Sequence, residues 1–236
     1  MYSCHTYHSL RYGTISIEDL VKLGVENGAQ VLALTDINTV SGIYDFYKTC
    51  LQYQIKPIVG MEIRVKDEFY YTCLAKNPEG LAEINRMMTA HNCDAEEIPK
   101  HNPKFENVFV IYPLKNAPET LLEYEFIGIR PDETNLLVQK EWKQKISKMV
   151  VLQPVVFHTK KEYNLHRILR AIDKNTLLSK LTEADVCSDN DFMKPVPEIL
   201  KPFRNYPKII ENTNKISTQC HFTYDFESPK NKKCFT

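Results

Sequence analysis

The sequence predicts an α/β barrel, and two observations carry that reading. Short apolar runs of strand length alternate with amphipathic segments of helix length across most of the 236 residues. One stretch, Val31-Leu-Ala-Leu-Thr-Asp-Ile-Asn-Thr-Val-Ser-Gly42, shows the unit in miniature. Its four apolar residues, Val31 to Leu34, are too few for a helix and read as a buried strand. Thr35 and Asp36 follow where that strand surfaces, and Gly42 opens the next helical segment. Barrels of parallel strands do their chemistry at the C-terminal strand ends, so Asp36 stands in the position of a site residue.

Taken in order, Ser3 to Ser9 is a short strand running into a loop, with Gly13 as a turn residue. Ser16 begins a helix, with Asp19 three residues on in a variant of the capping box. Ile17, Leu20, Val21 and Gly24 share one helical face, and Gly28 is placed to end it. The next helix, about Gly42 to Tyr53, buries Ile43, Phe46, Tyr47 and Cys50. Lys56 to Val65 and Tyr70 to Ala75 read as strands, and Asn77-Pro78-Glu79-Gly80 as a helix start with Pro in the first turn. Asn92 to Asn107 is polar and holds two prolines, so it reads as an exposed loop.

Val108 to Tyr112 and Phe126 to Ile129 are strands separated by a helix over Ala117 to Tyr124. Leu136 to Ile146 reads as a helix with Trp142 packed on the barrel. Met149 to Phe157 is the last strong strand, interrupted by Pro154, which suits an edge or bulge more than a central ladder. Lys160 to Ile172, Lys174 to Leu181 and Pro207 to Cys220 are helical, and Asp185 to Pro197 is a loop.

Lys+Arg 30 against Asp+Glu 30 gives zero net charge, which argues against a dedicated nucleic-acid-binding module. Seven scattered cysteines with no Cys-x-x-Cys read as reduced thiols of a cytoplasmic protein. No apolar run approaches membrane-spanning length, so no membrane partner is expected. The C-terminal Lys230-Asn-Lys-Lys-Cys-Phe-Thr236 reads as a cut through a longer protein.

Four segments together resemble one family: His5-Thr-Tyr-His-Ser-Leu-Arg-Tyr-Gly13, Leu32-Ala-Leu-Thr-Asp36, Lys56-Pro-Ile-Val-Gly-Met-Glu62, and Leu74-Ala-Lys-Asn77 with its helix. In order and spacing they resemble the polymerase-and-histidinol-phosphatase (PHP) domain at the N-terminus of bacterial DNA polymerase III alpha subunits. The resemblance covers residues 1–236, with about 185–236 as an extension leading toward the palm. Even Ser228-Pro-Lys-Asn-Lys-Lys233 resembles that connection. It implies a distorted (β/α)7 TIM-like barrel whose strand mouths, in active relatives, present His, Asp, Glu and Cys to divalent metals such as Zn²⁺ or Mn²⁺. Such clusters activate water and stabilise a phosphate ester under attack.

This sequence departs from that pattern. Aligned through Ser9-Leu10 and Gly13, the family's first two His fall on Ser3 and His5, and an acidic residue falls on Tyr12. Thr-Asp-His becomes Thr35-Asp36-Ile37, a further His falls on Tyr70, a thiol falls near Pro113 or Leu114, and the closing Asp-x-His falls on Pro154 and Val156. His5, Asp36 and Glu62 remain as a vestigial metal set. Ser, Ile, Pro and Val cannot replace imidazole or carboxylate, so no cofactor and no catalytic residue is expected here.

Tyr12 and Tyr70 are then the expected hydrogen-bond donors to the buried carboxylates. His8 and His158 read as loop and surface residues, with a displaced ligand and a mouth-reaching replacement His as the alternatives. Arg167, Arg170 and Lys174 read as a solvated basic face, with a phosphate-backbone contact as the alternative. Asp189-Asn190-Asp191 reads as a loop that only mimics a polymerase palm. The resemblance implies a structural and docking module. Its partners would be the remainder of the polymerase alpha subunit and a proofreading exonuclease, with DNA and Mg²⁺ engaged by the parent enzyme. The alternative is a metal-dependent phosphoesterase or 3′–5′ exonuclease with a reduced ligand set, and a weaker third is a stand-alone histidinol-phosphatase-like enzyme.

Overall fold

A computed structural model describes residues 2–225 and Ser228; the rest of the C-terminal segment that resembles a palm connection lies outside the described residues. Eight strands form one sheet in the order β7-β6-β5-β4-β3-β2-β1-β8. They are β1 (Tyr2–Cys4), β2 (Val31–Leu34), β3 (Lys56–Val65), β4 (Glu68–Ala75), β5 (Val108–Pro113), β6 (Glu125–Ile129), β7 (Met149–Val151) and β8 (Gln153–Val155). The last two are halves of one run. Its first half pairs with β6 and its second with β1, so a single bent strand closes a seven-stranded barrel. Pro154 sits in β8, the terminal strand of that order, in keeping with the edge expected for it; the run itself breaks at Leu152 and changes partner there. Val151 donates its N–H to Thr213 Oγ1 of the last helix, 2.8 Å away, where the strand bends.

The distortion lies in β4, antiparallel to both β3 and β5 while the other pairs are parallel. Lys66 and Asp67 join β3 to β4, both with positive φ (49° and 68°), the twist that suits a two-residue hairpin.

The helices follow their local signals. Helix α1 (Ile17–Glu26) is capped by Ser16, whose hydroxyl accepts from Asp19 N–H at 3.1 Å. Helix α2 (Ile43–Gln52) buries Ile43, Phe46, Tyr47 and Cys50. Helix α3 (Pro78–Asp94) starts from an Asn77 cap, with Pro in its first turn, and ends on left-handed Ala95. After the one-turn α4 (Lys140–Lys143) come α5 (Lys160–Asp173), α6 (Val196–Leu200) and α7 (Pro207–Gln219).

Of three expected helices one is absent and two are broken into short pieces. Ala117 to Tyr124 is not helical, because Ala117 precedes Pro118 and is extended (φ −66°, ψ 131°). Leu136 to Ile146 is a 3₁₀ segment (Pro131–Val138) and α4, divided by extended Gln139. Lys174 to Leu181 is interrupted at Asn175, whose φ of 48° ends α5; only Leu178–Lys180 forms a turn of 3₁₀ helix. Trp142 does pack, half-buried, against the barrel's hydrophobic core.

Side chains alternate across a strand. Ala33, Ile58, Leu74, Phe109, Ile111, Val150 and Leu152 cluster with Ile216 of α7 and with Cys220 just after it. Ile58, Gly60 and Glu62 share one face of β3, so the apolar filling of this cluster leads up to a carboxylate at the strand mouths.

Candidate functional site

The loop after β1 carries His5, Thr6, Ser9 and Tyr12, all buried, to the mouth of the barrel. Gly13 allows the loop to fold back: a Cβ there would lie 2.0 Å from the Thr6 carbonyl oxygen. Asp36 follows β2, and Ile37 bridges in parallel to Glu62 on β3. The three residues predicted from sequence therefore meet at one place.

Each is already engaged. Asp36 Oδ1 accepts from Thr6 N–H at 2.7 Å and from the Ser9 hydroxyl at 2.6 Å, and Oδ2 accepts from the Thr6 hydroxyl at 2.9 Å. Burial raises its pKa, against these donors and nearby His5. Glu62 Oε2 lies 3.2 Å from His5 Nε2, and Oε1 accepts from Arg64 Nε. Burial pushes Glu62 upward, but the pull of Arg64 and His5 outweighs it and holds the carboxyl well below the usual range. Two carboxylates in one mouth thus shift in opposite directions, because only Glu62 faces a guanidinium.

Sequence reasoning passed over Arg64. It sits two residues beyond Glu62 on a strand, the spacing that returns a side chain to the same face, though a bulge falls between Ile63 and Arg64. Its Nη2 donates to Tyr12 Oη at 3.0 Å, and its guanidinium lies 4.4 Å from the Tyr12 ring centre. Tyr12 is also held from behind. Its carbonyl accepts from His166 Nδ1 at 2.7 Å, and His166 Nε2 accepts from Cys187 N–H at 3.0 Å. Those two bonds define a neutral, Nδ1-protonated imidazole, and burial lowers its pKa to about 4.

The expected donors to the carboxylates are corrected. Tyr12 accepts from Arg64, and Tyr70 is half-buried beside Lys100, 5.7 Å from the ring centre; Thr6, Ser9, His5 and Arg64 fill the role. The basic face is corrected too. Arg170 is buried, donating to Asp67 and Asp173 at 2.8 Å each, while Lys174 pairs with Asp67. This ties the tip of the β3–β4 hairpin to α5. Asp191 is buried against Arg130, with Ser188 N–H donating to it at 3.0 Å. His8 contacts Ser41 Oγ at 3.0 Å, and His158 is exposed.

A metal needs free donors at one point. Asp36 gives three of its roughly four lone-pair sites to the β1 loop, and a guanidinium already faces Glu62. Among the described residues, His5 Nδ1, His8 Nε2 and Thr72 Oγ1 are the buried polar side-chain atoms left without a partner, two imidazole nitrogens and a hydroxyl. Among the described residues no group of three or more His, Cys, Asp or Glu is arranged to hold a metal ion. The residues present do not fit the family's metal cluster.

The family model of the PHP domain matches residues 2–128, more than half of the chain. The chain belongs to the PHP domain family. This PHP chain is 23% identical over 277 aligned residues to an error-prone DNA polymerase of Symbiobacterium thermophilum, covering 95% of the chain and 25% of that protein. It is 29% identical over 191 residues to a DNA polymerase III subunit alpha of Staphylococcus aureus strain Mu50, covering 77% of the chain and 17% of that protein. It thus spans a quarter or less of these relatives' length. A solved structure assigned as a metal-dependent phosphoesterase, from Bifidobacterium adolescentis, aligns over 85% of this chain and 95% of its own, with 12% identity and a TM-score of 0.31. No helix of the described residues is long and apolar enough to cross a membrane.

Proposed function

We propose that this chain is a non-hydrolytic PHP module of a DNA polymerase III alpha-type replicative enzyme, acting in the cytoplasm. It supports the polymerase core and offers a docking surface to the remainder of that enzyme or to a proofreading exonuclease; residues from about 185 onward extend toward the palm. His5, Asp36 and Glu62 are retained as a framework that holds the strand mouths together, with no catalytic role and no cofactor of their own.

The observation that carries this reading is the state of Asp36. Three short hydrogen bonds from Thr6 and Ser9 take three of the roughly four lone-pair sites of this carboxylate and tie it to the β1 loop, which leaves little for an ion. Family membership and two polymerase relatives supply the context. The test is turnover. The chain is incubated with Mn²⁺ or Zn²⁺ and either a phosphodiester ester or single-stranded DNA, beside a Glu62→Ala variant. No hydrolysis above the metal-only blank is expected. Hydrolysis by the native chain that Glu62→Ala abolishes would overturn the reading in favour of a phosphoesterase or 3′–5′ exonuclease.

A further inference from the structure

We infer that Arg64 is a built-in replacement for a metal ion: its guanidinium supplies the positive charge that the barrel mouth requires, and so keeps divalent cations out. The inference rests on the non-hydrolytic reading above and says what took the ions' place. Glu62 is buried, its side chain only 5% exposed, and an ionised carboxylate there needs a compensating charge. Arg64 supplies it from two residues along the same strand.

The geometry suits a guanidinium in particular. Nε meets the carboxylate, Nη2 reaches Tyr12 Oη, and the planar group lies against the Tyr12 ring. A lysine ammonium has neither the fork nor the flat face. Through these contacts one cation joins β3 to the β1 loop, as a bridging ion would join ligands from separate strands. A dication entering the mouth would have to approach the guanidinium charge and take Glu62 from it.

Thermal unfolding of the native chain, Arg64→Met, Arg64→Lys and the double variant Arg64→Met with Glu62→Gln tests this, each with and without added ZnCl₂ or MnCl₂. The native chain should unfold at the same temperature with or without metal. Arg64→Met strands a buried carboxylate and should unfold about 10 °C lower, with part of the loss restored by metal that reoccupies His5 and Glu62. Arg64→Lys should fall between native and Arg64→Met. The double variant has no charge to compensate, so it should recover most of the loss without metal and ignore added metal. It also keeps the test open if Arg64→Met does not fold.

A native-like Arg64→Met, or a double variant no more stable than Arg64→Met, would overturn the inference. Neither outcome touches the functional reading, which falls on native hydrolysis instead.

Discussion

Asp36 is the acceptor around which the β1 loop is ordered. Its carboxylate gathers a backbone N–H and two hydroxyls of the β1 loop, and Ser9 Oγ passes the order on by accepting from Ile37 N–H at 3.0 Å. Asp36→Ala would leave Thr6 N–H and two hydroxyls without their acceptor in a closed site. A cost of roughly 3 kcal/mol is expected, against about 1 kcal/mol for Ser9→Ala. Denaturant unfolding checks both, and equal small losses would show that the clamp is not what holds the loop. The strand-mouth position of Asp36 is legible from its place after an apolar run, and that of Glu62 from the family resemblance. Their partners were not, because hydroxyl donors such as Thr6 and Ser9 have no sequence signature. Arg64 could have been found: an acid and a base two apart on one strand share a face.

At the scale of elements, periodicity located the strands and the long helices, while irregular connections escaped it. Pro118, extended Gln139 and left-handed Asn175 each stop an apolar pattern that would otherwise read as a helix. The bend at Leu152 was hidden for a different reason. A change of partner within one apolar run leaves no mark in the sequence, and only the two neighbouring strands reveal it. Helix α7 supports that bend: Thr213 accepts from Val151 N–H and donates to the Ile209 carbonyl at 2.7 Å. Thr213→Val keeps the shape and removes the acceptor, so a loss of about 1–3 kcal/mol is expected. Amide hydrogen exchange should quicken at Val151; unchanged protection there would mean that the closing strand does not depend on α7.

For the molecule as a whole, the buried polar layer at the barrel mouth ties its stability to pH. His166 is neutral in the fold with a pKa lowered to about 4, while in the unfolded chain it takes up a proton near its ordinary value of 6.5. As pH falls between those values the unfolded state binds the extra proton, so stability is complete above about pH 6.5 and declines toward pH 4. The expected decline from this group is of order 3 kcal/mol. Unfolding free energies measured along that interval should fall for the native chain and flatten for His166→Gln. Equal slopes would locate the proton uptake elsewhere.

At the mouth of this PHP barrel a clamp holds Asp36 and an arginine faces Glu62, and the proposed scaffold role rests on that closure. Titration of the native chain with Zn²⁺ and Mn²⁺, followed by calorimetry and by metal analysis of the recovered protein, addresses that most directly. The account predicts no stoichiometric uptake of either ion. Two or three ions held tightly per chain, and lost on Asp36→Ala or Glu62→Ala, would contradict it.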